Sequence, residues 1–298
     1  MRVHILLFGF LLSMYAHAQN SVVQKFLQLE IVKVNYASGN YQECISVYES
    51  ENLNEILPTR DHYLIADCYQ KMGQTKAARN LVHKAIVKGA KFDWLISYPE
   101  LKQSFSFTDS IYFANTYQEG LKKQDFAIYS QLVSMFELDQ SARRLWLKRR
   151  DSCSQDLMHQ VDAKHKKILF EMIREHGWLG GNNLFLDDYF FPVFLHVTSF
   201  DSNIQEFDSL RAELQKLVLL NQLPPSTYAF WVDRYLVFNL KQPQKYGTFW
   251  RSSEEGKVLD EVQEPENIDS LRQSIGLSTL QQYKAYNSTV ILPVWYKP

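Results

Sequence analysis

Gly39-Asn-Tyr-Gln-Glu-Cys-Ile-Ser-Val-Tyr48 and Gly73-Gln-Thr-Lys-Ala-Ala-Arg-Asn-Leu-Val82 decide the fold of this chain. They align as G-x-Y-x-x-C-x-x-x-Y with G-x-T-x-x-A-x-x-x-V, 34 residues apart. The register extends outward: Val32 and Ala66 share one position, Asn35 and Tyr69 the place three later, Glu51 and Ala85 the last. A period of that length with glycine between two apolar-periodic runs predicts a repeated helix–turn–helix, glycine supplying the turn and small residues the close helix approach.

These two segments resemble tetratricopeptide repeats over about residues 25–91. Glu51 stands where a small residue is usual, and proline is missing from the usual terminal place, with Pro58 close by. The resemblance implies a protein or peptide partner, received in a groove whose exposed positions would include Lys33, Tyr36, Tyr63, Asp67, Gln70 and Lys71. Two repeats cannot bury their own outer faces. Residues 92–124, with Pro99 as a helix start and Trp94, Leu101, Phe105, Phe113 and Tyr117 as apolar contacts, are expected to cap them.

Upstream, Arg2, an apolar run from Ile5 to Leu12 and Ala16-His17-Ala18 predict a signal peptide over residues 1–18, cleaved after Ala18. No cysteine follows as a lipid-anchor site, so an exported, periplasmic or extracellular protein is expected. No later run approaches the roughly 20 apolar residues of a membrane span. A formal charge of −1 gives no field for nucleic acid. The cluster Arg143, Arg144, Lys148, Arg149, Arg150 is interrupted downstream by acids and reads as solvated helix faces. Of three cysteines, Cys44 and Cys68 fall on helices expected to be neighbours, as buried thiols or as a bridge.

The rest, about residues 125–298, predicts a mainly α architecture with a small C-terminal β-hairpin over about 246–262. Tyr129, Leu132, Val133 and Phe136 share one helical face, and Val161, Ile168, Leu169, Met172 and Ile173 another that stops at Gly177. Asp187 or Asp188 is expected to cap an apolar helix through residues 189–200, with Pro192 in its first turn. Trp231, Tyr235 and Phe238 mark one face of a later helix, and residues 265–283 a last one. The tail after Ser288 is strand-like.

Polar residues scattered through this apolar half are costly to bury unless paired or used. Asp139-Gln140-x-x-Arg143, Glu175-His176-Gly177-Trp178, His196, Gln205, Asp233-Arg234, Gln244-x-Tyr246-Gly247-Thr248 and a closing run from Pro265 to Leu277 come in an order that looks like an uncharacterised bacterial family, found behind signal peptides and helical repeats, over about residues 125–285. Phe249 and His165 depart from it, standing where glutamine and asparagine are usual.

Two arrangements of these residues are open. Asp139, Arg143, His196, Gln205, Asp233, Arg234, Gln244 and Tyr246 can gather into one polar pocket, with histidine as general base, an aspartate orienting it and an arginine holding an anion. Alternatively Asp233 and Arg234 join Asp139 and Arg143 in a buried structural network, in which case removing Arg234 should cost about 3–5 kcal/mol. H-E-x-x-H, G-x-S-x-G, P-loop and dinucleotide patterns are missing, so neither a metal nor a cofactor is expected. The sequence favours an exported interaction scaffold, with a hydrolase built on the polar pocket as the alternative.

Overall fold

The computed structural model describes residues 21–181, 183–198 and 204–297. The expected signal peptide and its cleavage after Ala18 lie outside the described residues, as do Asn182 and residues 199–200, the end expected for the apolar helix. The fold is mainly α with one small C-terminal sheet. Its contacts divide it into two compact units: one of residues up to 57, 207–237 and from 241 on, the other of residues 58–206 and 238–240.

Each unit begins with one of the two predicted hairpins. In the first unit α1 (residues 21–37) turns into α2 (Tyr41–Ser50); in the second α3 (His62–Lys71) turns into α4 (Thr75–Val87). Gly39 and Gly73 take φ of 77° and 73°, a left-handed conformation that closes the helix before them. The turn hydrogen bonds repeat at the same offset. Gly39 N–H donates to the Tyr36 carbonyl at 3.0 Å and Asn40 N–H to Asn35 at 2.9 Å; 34 residues on, Gly73 donates to Gln70 at 2.9 Å and Gln74 to Tyr69 at 2.8 Å. Cys44, Cys68 and Cys153 are free, the first two buried, and the Cys44 thiol donates to the Val32 carbonyl inside its own hairpin.

The second unit continues through α5 (Pro99–Gln103), α6 (Phe107–Lys122), α7 (Phe126–Arg149), α8 (Ser152–His176) and α9 (Leu184–Val197). Capping side chains set where these start: Ser106 and Asp109 form a reciprocal box on α6, Asp125 caps α7 and Asp151 caps α8. Helices α7, α8 and α9 pack on one another. Phe190 and Phe194 of α9 stack at 5.6 Å under the edge of Trp178. Phe185 fills the space left by two glycines: a Cβ at Gly89 would lie 2.5 Å from the Phe185 nitrogen, and one at Gly120 would lie 2.8 Å from its ring.

Two expectations for this half are corrected. Neither Asp187 nor Asp188 caps α9. The helix starts at Leu184, so Asp187 lies on its inner face, accepting the Gly181 N–H at 2.7 Å, while Asp188 pairs with Lys91 at 2.9 Å. Burial pushes the Asp187 carboxyl up to about 6, against the Gly181 hydrogen bond. Pro192 sits in the helix interior rather than its first turn, and removes the hydrogen bond to the residue 188 carbonyl. The buried aromatic face of α9 outweighs that local loss.

Helix α10 (Ile204–Leu219) and α11 (Pro225–Arg234) follow, and α11 runs into a π-helical turn over Tyr235–Asn239. That wider turn rotates Phe238 off the Trp231–Tyr235 face, so Phe238 is half exposed while Phe207 stacks on the other two at 5.2 and 4.0 Å. Strands β1 (Trp250–Ser252) and β2 (Lys257–Leu259) form the expected antiparallel hairpin, Trp250 facing Leu259, and β3 (Val290–Ile291) adds parallel to β2. The predicted last helix is two. Gly276 at φ 88° breaks it between α12 (Ile268–Gln273) and α13 (Leu280–Tyr286), and Thr279 starts the second with a capping box. No helix among the described residues is long and apolar enough to cross a membrane.

Candidate functional site

The structure divides the eight candidate residues between the two units. Asp233, Gln244 and Tyr246 lie in the first, in a closed network. The Asp233 side chain is fully buried at the end of α11. Its carboxylate accepts the N–H groups of Lys245 at 2.7 Å, Tyr246 at 2.9 Å and Thr248 at 2.9 Å, and the Thr248 hydroxyl at 2.8 Å. Burial pushes this carboxyl above its ordinary range, while those four donors pull the other way. Gln244 staples the same loop: it accepts the Phe249 N–H at 2.8 Å and donates to the carbonyls of Phe249 and Asp260 at 3.1 and 3.0 Å. Phe249 needs no side-chain amide here, because its backbone makes the bonds while its ring stacks on Phe230 at 5.1 Å.

Arg272, also buried, closes the loop from below, donating to the Ser278 and Tyr246 carbonyls at 2.6 and 2.7 Å. Every one of these groups is matched to backbone. The loop 244–249 is thereby fixed, and the expected buried network of Asp233 and Arg234 with Asp139 and Arg143 is corrected for Asp233: its hydrogen bonds all come from residues 245–248. Arg234 is half buried, and Gln205 is exposed in the first turn of α10.

The second unit brings Asp139 and Arg143 of α7 together with His196 of α9, and adds Asp162 and His165 of α8. Arg143 spans two carboxylates, its Nε donating to Asp139 at 3.1 Å and its Nη2 to Asp162 at 2.6 Å. His196 Nδ1 lies 3.0 and 2.9 Å from the two Asp139 oxygens, and 2.8 Å from Arg143 Nε. A carboxylate only accepts and a guanidinium only donates, so the two contacts ask opposite things of Nδ1: a proton toward Asp139, which leaves the lone pair on Nε2, or a lone pair toward Arg143 Nε, which leaves the proton on Nε2. Gln140 donates to the second Asp139 oxygen at 2.8 Å.

These environments push the two carboxyls apart. Burial raises Asp139, but the His196 hydrogen bond and charge, with Arg143, outweigh it and hold the group below the ordinary carboxylate range. At Asp162 burial wins: Arg143 offsets it, the Asp139 charge adds to it, and the carboxyl ends above its ordinary range. Burial likewise lowers His165, leaving a neutral imidazole. The cluster is also under-satisfied and partly open. Asp162 Oδ2 and His165 Nδ1 are buried with no hydrogen-bond partner, whereas the His196 side chain is 21% exposed and its Nε2 has no partner among the described residues.

Arg143, expected as an anion holder, gives its Nε and Nη2 to the two aspartates. Asp162 and His165 are missing from the sequence reading of the pocket. Their signal is two polar residues three apart on the apolar stripe of α8, between Val161 and Leu169. No group of three His, Cys, Asp or Glu among the described residues is placed to hold a metal ion.

The positions expected to line the groove of the repeats differ in exposure: Lys33, Tyr36, Gln70 and Lys71 are half-buried. Tyr63 and Asp67 of α3 are buried, α3 packs on α5, and Lys71 pairs with Glu100 of α5 at 2.8 Å. On α1, Glu30 accepts the Tyr286 hydroxyl at 2.6 Å and Lys33 at 2.8 Å. Outside comparison adds no guide: no family model, no curated protein and no solved structure matches the chain.

Proposed function

We propose that the chain acts through the α7–α8–α9 cluster, as a hydrolase in which His196 is the general base and Asp139 the carboxylate that orients it. The observation that carries this reading is the 2.9 Å contact of His196 Nδ1 with buried Asp139, on a side chain that is partly open and whose Nε2 has no partner among the described residues. With the proton on Nδ1, the second nitrogen is offered to a water or substrate hydroxyl, and the ionised aspartate stabilises the imidazolium formed when it takes a proton. Arg143 is a positioning residue, fixing Asp139 and Asp162 without touching the reacting atoms. Asp233 and Gln244 are matched to the loop backbone and the Tyr246 side chain is buried against Tyr228, so none of the three has a part in the chemistry.

The reading is tested with the purified protein on a panel of chromogenic esters, amides and phosphate esters. Turnover is expected in at least one class, falling about 10²–10⁴-fold in His196→Ala and by less in Asp139→Asn, with an unchanged fold. Turnover unchanged in a folded His196→Ala protein would remove His196 as the base.

An exported interaction scaffold is the second reading, supported by the 34-residue repeat of the turn hydrogen bonds at Gly39 and Gly73. Against it stand the buried Tyr63 and Asp67. The same panel separates the two, because a scaffold turns over none of the substrates.

A further inference from the structure

Asp162 and His165 are one helical turn apart on α8, nine-tenths or more buried, and each keeps a polar atom with no partner. An unmade buried hydrogen bond costs folding free energy, so two on one helix face are a standing cost to the folded chain. Protein groups nearby do not relieve it: Arg143 is spent on Asp139 Oδ1 and Asp162 Oδ1, and His196 Nδ1 on Asp139. What is left is an acceptor, Asp162 Oδ2, and one turn along the helix His165 Nδ1, which is an acceptor when the ring proton is on Nε2. In that tautomer both ask for a donor.

Charge narrows the class of donor. Two carboxylates face a single guanidinium, which leaves one negative charge uncompensated when both are ionised. An anionic ligand would meet that charge with Arg143 already engaged by both carboxylates. A guanidinium ligand binds best across both oxygens of a carboxylate, and Asp162 Oδ1 is already taken by Arg143 at 2.6 Å. A quaternary ammonium carries charge but no hydrogen to donate. A primary ammonium is a compact point charge with three rotatable donors, and it satisfies both atoms and the charge together.

We propose that Asp162 and His165 form the recognition half of this site, binding a primary ammonium group of the substrate beside the His196–Asp139 dyad. The inference rests on reading the cluster as a working site, and it names the substrate class: amine-bearing esters or amides, held by the ammonium and cleaved at a bond within reach of His196 Nε2.

The test is an imidazole NMR titration of the intact protein at pH 7 with n-propylammonium, and with tetramethylammonium, n-propylguanidinium and butyrate as controls. Propylammonium is expected to shift the His165 ring signals saturably, at least about tenfold more tightly than any control, since only it pairs a charge with small free donors. Asp162→Asn should weaken that binding by about tenfold or more. His165 signals that stay still, or that move equally with butyrate, would overturn the proposal, and a water held between the two atoms would show as signals indifferent to all four probes. The readout needs no turnover. Saturable ammonium binding without hydrolysis leaves this inference standing and removes the catalytic one; hydrolysis with a silent His165 does the reverse.

Discussion

Asp233→Ala is expected to destabilise the protein by about 4 kcal/mol or more, the largest loss from any single side chain considered above. Truncation leaves three backbone N–H groups and the Thr248 hydroxyl facing an apolar void at a fully buried position, and each stranded donor costs about 1–3 kcal/mol before relaxation. The loss is structural, because this one carboxylate supplies the four hydrogen bonds that tie the loop 244–249 to the end of α11. Urea unfolding measures it directly. Arg234→Ala, by contrast, strands none of those donors and should stay within about 1 kcal/mol of wild type, the usual range for a half-buried side chain. Equal losses in the two variants would contradict the assignment of Asp233 to the backbone.

Arg143→Ala carries the second large effect, about 3–5 kcal/mol at pH 7, because removing the shared cation leaves two buried carboxylates facing each other. Its dependence on pH is distinctive. Asp162 already lies above the ordinary carboxylate range through burial, and loss of Arg143 removes the influence that holds it down. A carboxyl that binds its proton more tightly folded than unfolded adds stability as pH falls through its folded value toward about 3.9, the unfolded one. The deficit of Arg143→Ala should therefore shrink steadily from pH 7 to pH 4. A pH-independent deficit would mean that Asp139 and Asp162 are not coupled through this side chain.

The helices were legible because their stop signals are local. Gly39, Gly73 and Gly177 each sit one step past an apolar-periodic run, and each takes a positive φ. Side-chain caps were less readable: Asp187 and Asp188 look like a cap, but three apolar residues before them, Leu184 to Leu186, already belong to the helix and are buried. Gly276 was visible and underweighted, inside a pattern that reads as one helix.

The candidate residues were legible as a set of costly polar groups, and their grouping was not. Nothing in the order of motifs says that Asp233 turns to backbone amides twelve to fifteen residues on, while Asp139 turns to His196 on another helix. Both are aspartates in apolar surroundings. What distinguishes them is whether the partners are main chain, supplied by a loop whose shape no motif prints, or side chains from helices whose rotation sets the distance. Asp162 and His165 escaped because an amphipathic stripe accounts for a helix well enough without them.

The central claim is that the α7–α8–α9 cluster is held in an unsatisfied state for use, whereas the Asp233 network is satisfied for stability. His165→Leu tests that contrast most directly. Leucine nearly matches the volume of the imidazole and removes a buried nitrogen that has no partner, so the melting temperature should hold or rise, by an amount corresponding to about 1 kcal/mol, while ammonium binding disappears. A melting temperature that falls by several degrees would show that His165 is a satisfied structural residue, and the cluster a second sealed network like that of Asp233.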